Sequence, residues 1–545
     1  MCFFSFATSS MAVEYYVDNN AGDDAFSGTS KTVSENKVGP FRTILRAVKL
    51  AGAGDTVNLV PGDKPWREAV VLNTHPTWYH RGGEEGKPLI IDGHGSWISG
   101  ADICPSKDWK KEDDGVWTHS GMAYSGFMVI EGRLENQVSD IDVTEPGELC
   151  YQGWANRLYY RVRDNRSPMP AIELGQPDGS TLSIEPKDWQ YAGRPGFNRY
   201  CGSTPKPADI KPPTWVKIDG RESKLACARE RLAPGKFTIS DKKLYFRPPE
   251  GKRPGDMPIE AVVRENGVAL GGSTSHVVIR NFNVRHVYND GYNIHGGCKK
   301  IVFNNCNAED CGDEGFSSHD NCETLLDGAV FLRCDNGLNN VNSSVSASRN
   351  VVIADCRSLG YEGQQQSRHE VENLILVDNP LSCVNFTGRN ILIVNTGKRP
   401  VGIGLAGESS LDRLTVSGPS HDRLLHLYGA SRVDISRSRF EDGGKGVVHI
   451  RHSDPGILRI KDSLFHPDTV VEWGAGQPFK RMKLADAAKD QALPFSGAGV
   501  IETPLLEALT RGERPAVIPK DSGCTAELIE RYLEFMNKNK KGTSK

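Results

Sequence analysis

The sequence predicts an all-β chain wound as a parallel β-helix, with a helix near its start, an aromatic- and proline-rich insertion and a helix at its end. Short apolar runs that each close on a polar bend recur through the second half of the chain: VIRNFN, VFNNCN, VFLRCD, VIADCR, ILVDNP, LIVNTG, LTVSG, DISRSR and RIKDSL. Phe282, Cys306, Cys334, Cys356, Asn379, Thr396, Gly418, Ser438 and Ser463 serve as equivalent positions in the successive runs. A second β-like run lies between them, opened by glycine in GYNIHG, GFSSHD, GLNNVN and GQQQSRH. Two or three short strands in every ~22 residues, with no intervening helix, is the pattern of stacked coils. A β-sandwich competes, but it favours two-residue hairpins over a longer repeated unit.

The elements follow in order. Residues 1–14 are expected to be disordered or a vestigial signal, because MCFFSFATSS has an apolar start without a basic segment. Residues 15–62 read as strand, glycine-rich loop, helix and strand. In that helix Ile44, Ala47, Val48 and Ala51 form one apolar face, Gly52 is placed to cap its end, and the whole covers the open end of the coils. Residues 63–265 read as early coils, including LIIDGHGSWISG and GFMVIEGRLE, around an inserted β subdomain at about 150–215. Residues 266–473 are the regular coils. The tail, 474–545, is irregular up to a helix whose face of Leu528, Ile529, Tyr532, Leu533 and Met536 is expected to cap the far end.

Composition narrows the function. The 545 residues carry 66 Lys+Arg against 69 Asp+Glu, a net charge of -3, too little field to grip nucleic acid. No run approaches the ~18 apolar residues of a membrane span. The 13 cysteines include no CxxC pair and no zinc spacing. The repeat accounts for some of them: Cys306, Cys334 and Cys356 are expected to stack inward as small apolar residues, without disulfides. Asn304, Asn305, Arg333 and Asp355 then sit at the bends.

The opening YYVDNNAGDDAFSGTS…GPFRTILRAVKLAGAGDTVNLVPG resembles the entry segment of right-handed parallel β-helix proteins that act on carbohydrates. The order GVWTH, FMVIEGRL, KLYFRPPEGKRP, AVVRENGVAL is similar to that of β-helix glycoside hydrolases such as a family of β-xylosidases. The resemblance implies a right-handed solenoid and a polysaccharide or oligosaccharide substrate. It does not choose among hydrolases, lyases, epimerases and binding proteins. Locally, GFSSHD is similar to the DPHD segment of β-helix mannuronan C5-epimerases, with His319 and Asp320 matching and Ser317 in place of the first Asp.

Chemistry concentrates in two neighbouring coils. Aligning Gly291 with Gly315 turns Tyr292/Phe316 and Ile294/Ser318 inward, and turns Asn293/Ser317 and His295/His319 outward. Asp290, Asp313, Glu314 and Asp320 flank the histidines. Asn339 and Gln365 are expected to continue the outward column, with Arg368, His369 and Glu370 just beyond, and Asn293, Asn339, Gln365 and Arg368 are expected to bind substrate. Acids on adjacent coils suit glycoside hydrolysis, with Glu314 and Asp320 the preferred acids. His319 as base with Arg368 or His295 as stabiliser suits a uronate lyase or epimerase. A turn Asp bonding its own backbone is the structural alternative for Asp290 and Asp313. Trp154, Tyr159, Tyr160, Trp189, Tyr191, Phe197 and Tyr200 are either stacking surfaces for sugar rings or the core of the insertion. His426, Tyr428, His449 and Arg451 either lengthen a groove or are scattered solvated residues.

The resulting expectation is a carbohydrate-active enzyme, first a glycoside hydrolase with its site on coils 290–320 walled by the 150–215 insertion. A uronate lyase or C5-epimerase and a non-catalytic glycan-binding solenoid are the alternatives. No cofactor is expected, and no metal, because no DxDxDG loop or tight acidic cluster is evident. The chain is expected to be a secreted or periplasmic monomer, with a cytoplasmic location as the alternative. Its near-neutral charge favours a neutral glycan over a highly sulfated one.

Overall fold

A computed structural model describes residues 11–542 except 74–81, 113–114, 153–156, 163–170, 179, 193, 195–196, 202–212, 214, 220, 224, 400, 419, 442–445, 491–494, 496–497, 502–506 and 516–522. Two units are distinguished, one of residues 1–101 with 264–545 and one of Asp102–Val263. Among the described residues no helix is long and apolar enough to cross a membrane.

The first unit is a parallel β-helix. Each regular coil contributes a short strand to one sheet and a longer, bent strand to two others. Tyr292–Ile294 thus pairs with Phe316–Ser318, and Lys299–Glu309 pairs with Glu323–Leu332. In Lys299–Glu309 the residues Ile301, Phe303, Cys306 and Ala308 are buried, so the alternation skips one residue at Asn305. Asn305 has φ 53, the left-handed conformation that turns the strand while keeping both halves facing inward. The same bend recurs at Asn281, Asn350, Asn373 and Asn390. Their amides form a relay, with Asn305 Nδ2 donating to Asn281 Oδ1 at 3.1 Å and Asn373 Nδ2 to Asn350 Oδ1 at 3.0 Å. Arg333 and Asp355 belong to a different left-handed corner, shared with Asp310 and Asp378.

The coils begin well before residue 266. Leu89–Ser99 lies between Thr56–Leu59 and Ser275–Arg285 as their parallel neighbour, so Ile91 stacks on Ile279 although the whole second unit intervenes in the chain. The chain leaves the solenoid at Ala101 and re-enters it at Arg264. The entry helix is Ile44–Leu50, with Ile44, Ala47, Val48 and Ala51 buried against the first coils. Its free amides at Ile44 and Leu45 donate to Glu68, both at 2.9 Å. Gly52 is not its cap. Ala51 takes that position in an extended conformation, and the Gly52 amide instead donates to Asp55 at 2.8 Å.

The cysteine stack is shifted by one corner from the sequence expectation. Cys306 lies in register with Phe282, and the coil that follows places Ala329 beside it. The stack is Cys311, Cys334 and Cys356, each one coil from the next, and a second pair is formed by Cys298 and Cys322. The interval from Cys306 to Cys334 is the sign of the slip, because it exceeds the spacing of register partners in the regular coils, which runs from that of His369 with Phe386 to that of Val433 with Leu458. Ten of the twelve described cysteines are buried, and all twelve are thiols.

The second unit is mainly antiparallel, with an isolated parallel bridge between Leu149 and Leu225 and with four four-stranded sheets among its described residues and their immediate flank. FMVIEGRLEN, expected as part of a coil, is the hairpin of Phe127–Ile130 and Arg133–Asn136. The insertion therefore spans Asp102–Val263, wider than the aromatic stretch inside it. Tyr159, Tyr160, Trp189 and Phe197 are buried in its cores.

The C-terminal helix, Ala526–Gly542, does not cap the solenoid end. Leu528, Ile529, Tyr532 and Leu533 pack sideways on Val352, Ala354, Ile375, Val377, Leu392 and Val394, which point outward from three consecutive coils. Those strands, VVIA, LILV and ILIV, are apolar on both faces, as a sheet covered on both sides must be. The last parallel strand of the short-strand sheet, Val470–Trp473, is instead closed by antiparallel Lys480–Lys483. Ile529 is fully buried in the helix seam, so Ile529→Ala is expected to cost about 2–5 kcal/mol. Denaturant unfolding of the two proteins checks this.

Candidate active site

The site grows from three coils in register. Gly291, Gly315 and Gly337 open successive strands, and the residue before each, Asp290, Glu314 and Asn336, is carried to the same place one coil apart. A side chain at these glycines is excluded, since a Cβ on Gly315 would come within 2.7 Å of the Gly337 carbonyl oxygen. Beside the acids, the outward column of the strands is Asn293, Ser317, Asn339 and Glu362.

Asp290, Asp313 and Glu314 bring one carboxyl oxygen each within 4.8 Å of one another, with Asp290 and Glu314 buried. Contrary to the sequence expectation, the acids therefore do form a tight cluster, because one coil closes the gap of 24 residues between Asp290 and Glu314. Such a group can hold a hard cation. Here the protons already relieve the repulsion. Burial, then the hydrogen bond to Glu314 and its charge, push Asp290 far above the ordinary carboxylate range. Asp313 is raised by burial and by Glu314 and Asp335, with Arg357 opposing. Burial acts on Glu314 as well, but hydrogen bonds from Asp290, Asn339, Asn336 and Asp313 outweigh it and hold the carboxyl below its usual value. Asn339 Nδ2 donates to Glu314 Oε1 at 3.0 Å and Asn336 Nδ2 to the same oxygen at 3.3 Å. Asn293 Nδ2 donates to Asp290. Asn293 and Asn339, expected as substrate ligands, thus orient the acids.

His295 and His319 stack with ring centroids 3.9 Å apart and planes 14° from parallel. His319 Nε2 shares a 2.6 Å hydrogen bond with the buried Ser317 hydroxyl. Burial first, and His295 second, lower the His319 pKa, so the ring is neutral at pH 7. Asp320 is a corner residue with φ 53. It accepts from the Gly296 amide at 2.7 Å and from Asn342 Nδ2 at 3.0 Å, which hold it ionised as a bracket between coils. Its carboxylate also faces His295 at 3.6 Å. Asp320 is therefore not grouped with the three clustered acids.

Several expected residues lie elsewhere. Gln365 is an exposed corner residue with φ 60, and Glu362 takes the column position expected for it. Arg368 lines a cavity of about 1050 Å³ over another sheet, together with Lys300, Glu323, Val345 and Glu370. That cavity contains none of the clustered acids. His369 is buried between Asn340 and Ser367, where burial pushes it down to about 4. Trp189 is buried beside Tyr160 in the core of the second unit and offers no open face to a sugar. Tyr191 lies in the short strand Trp189–Tyr191, and Trp154 falls outside the described residues.

Asn336 and Glu362 are the residues that sequence reading missed. The signal was present: Gly360-Tyr361-Glu362 repeats Gly291-Tyr292-Asn293, whereas starting that coil at Gly363 begins it too late. Burial raises Glu362 too, with the charges of Glu314 and Asp335 adding to it against a hydrogen bond from Gln364.

No family model matches the chain, and no curated protein does. Among solved structures, one described as the complex of XylC with xylose aligns over 86% of this chain and 87% of that chain, with 12% sequence identity and a TM-score of 0.40.

The raised Asp290 has a consequence for stability. Its folded-state pKa lies above the unfolded value of about 3.9, so the folded form binds the extra proton and stability falls as pH rises from there toward the folded pKa. Asp290→Asn, a permanent neutral mimic, is expected to raise the thermal midpoint at pH 7, and the gain should vanish at about pH 4 and below. Melting curves at both pH values check it.

Proposed function

We propose that the protein is a carbohydrate-active enzyme that hydrolyses glycosidic bonds at the Asp290–Glu314 pair. The observation that carries this reading is the opposite displacement of two touching carboxyls, one kept protonated and the other ionised by its four donors. Glycoside hydrolysis asks for this division of labour. Asp290 gives its proton to the departing glycosidic oxygen while a Glu314 oxygen bonds the anomeric carbon. Water then displaces Glu314 and returns a proton to Asp290. The oxygens lie within 4.8 Å of one another, inside the about 6.5–9.5 Å of an inverting pair and also inside the about 5–5.5 Å of a retaining one, so this two-step course requires the pair to part around the glycosidic bond. Asn336 and Asn339 keep Glu314 oriented, and Asp313 adds a second proton-sharing carboxyl beside it.

A uronate lyase or C5-epimerase with His319 as base is the second reading. One observation favours it: the lowered pKa of His319 leaves the ring able to take a proton at pH 7. Against it, Nε2 is committed to Ser317 and Arg368 lies in another cavity.

On a panel of plant and marine glycans, Asp290→Asn and Glu314→Gln are each expected to lower turnover by about 10²–10⁴-fold, with His319→Gln affecting it far less. Full turnover in both carboxyl variants, with product that absorbs as an unsaturated uronate and is lost in His319→Gln, transfers the reaction to the second reading. In the hydrolase, the alkaline limb of the kcat/KM profile belongs to the coupled pair and is expected to disappear in Asp290→Asn.

A further inference from the structure

The far coils continue the same outward column with a cluster that the acid site does not use. Register carries it from Glu362 through Ser382, Gly404 and His426 to His449. Gly404 has no side chain, and a cavity of about 470 Å³ opens there, lined by Ser382, Arg423, His426 and Tyr428. The Tyr428 hydroxyl is within 3.1 Å of Ser382 Oγ, fixing one wall. His426 stacks on His449 at 5.0 Å and 8°, and Phe479 meets His449 edge-on at 4.7 Å.

Carboxylates reach this cluster only at its two ends, Glu472 beside His449 and Glu362 toward Tyr428. Among the described residues, His426 Nε2 and both ring nitrogens of His449 are buried without a hydrogen-bond partner, and His449 is only 3% exposed. Arg423 and Arg451 act on both imidazoles, and no carboxylate among the described residues pairs with either guanidinium. Glu472, the next residue of the column, is already held by Arg481 at 3.2 Å. Burial, His449 and the two arginines push His426 down to about 4, as an imidazole among cations must be. Of the two rings only His426 lines the cavity, beside Arg423, and an imidazole N–H grouped with a guanidinium suits an oxyanion.

We propose that this cavity is a subsite for an anionic sugar substituent, a uronate carboxylate or a sulfate ester, with Arg423 and His426 as its ligands and Tyr428 and Ser382 as neutral donors. The proposal rests on the carbohydrate reading and narrows its substrate to an acidic glycan. From Ser317 to His426 is five strand steps, about 24 Å at ~4.8 Å each, so one ligand reaches both sites only as an oligosaccharide of several sugar units. The overall charge of -3 pointed to a neutral glycan, and this local cationic patch points the other way.

The test is calorimetric titration of the full chain carrying Glu314→Gln, so that nothing is turned over, with fragments of pectate, alginate and carrageenan. Their methyl-esterified or desulfated forms and neutral xylan fragments are the controls. The expected result is an acidic fragment bound at least tenfold more tightly than its neutralised form, with Arg423→Gln and His426→Gln each removing that tenfold and leaving neutral binding unchanged. Loss of affinity on esterification assigns a carboxylate, and loss on desulfation assigns a sulfate. Equal affinity for charged and neutralised forms, or an acid preference that survives both substitutions in proteins with unaltered thermal midpoints, overturns the proposal. Hydrolysis of a neutral glycan with no acid preference overturns it while sparing the hydrolase reading. Absence of any binding or turnover across the panel overturns both.

Discussion

The constraint on which everything else in the solenoid depends is parallel stacking of coils in register, one strand spacing apart. Backbone hydrogen bonds between coils set that spacing at about 4.8 Å, and any side chain must then lie against its equivalent one coil away. A repeat of 22 to 24 residues therefore converts a distant pair in the chain into a contact. Cys311, Cys334 and Cys356 become a column, the corner asparagines become an amide relay, and His295 and His319 become a stacked pair.

The same constraint makes the acid site. Two carboxyls left to themselves would avoid each other, but register at Gly291 and Gly315 leaves Asp290 and Glu314 no such freedom. Their repulsion is resolved by a proton and by amide donors that come from the next coil. One acid is thereby neutral and the other ionised, which is the division of roles that the proposed hydrolysis draws on. The folded state bears a cost in stability for it, because the unfolded chain ionises Asp290 freely at neutral pH. The far-coil histidines are made in the same way, with cations in place of acids.

Legibility in the sequence tracked how far a feature depends on period alone. Inward and outward faces at Tyr292/Phe316 and Asn293/Ser317 follow from strand alternation and one aligned glycine, and the histidine stack follows from them. Errors entered wherever a coil had to be counted across an irregular interval. The overlong step from Cys306 to Cys334 moved a column by one corner, and starting a coil at Gly363 rather than Gly360 put Gln365 where Glu362 stands. The lateral seat of the last helix was written in VVIA, LILV and ILIV, whose apolar residues on both faces need a second cover, but amphipathicity of a helix does not say which surface receives it.

The sequence by itself determined the parallel β-helix, the entry helix with its buried face, and the stretch of chain that carries the acids and the histidines. Periodicity and composition are local properties, and they suffice for those. Only the tertiary structure decided that Asp290 and Glu314 share a proton while Asp320 braces a corner, that Arg368 faces a different cavity, and that His426 lies with His449 between Arg423 and Arg451. Protonation and pairing depend on burial and on donors 22 to 24 residues away, and these exist only once neighbouring coils are in register.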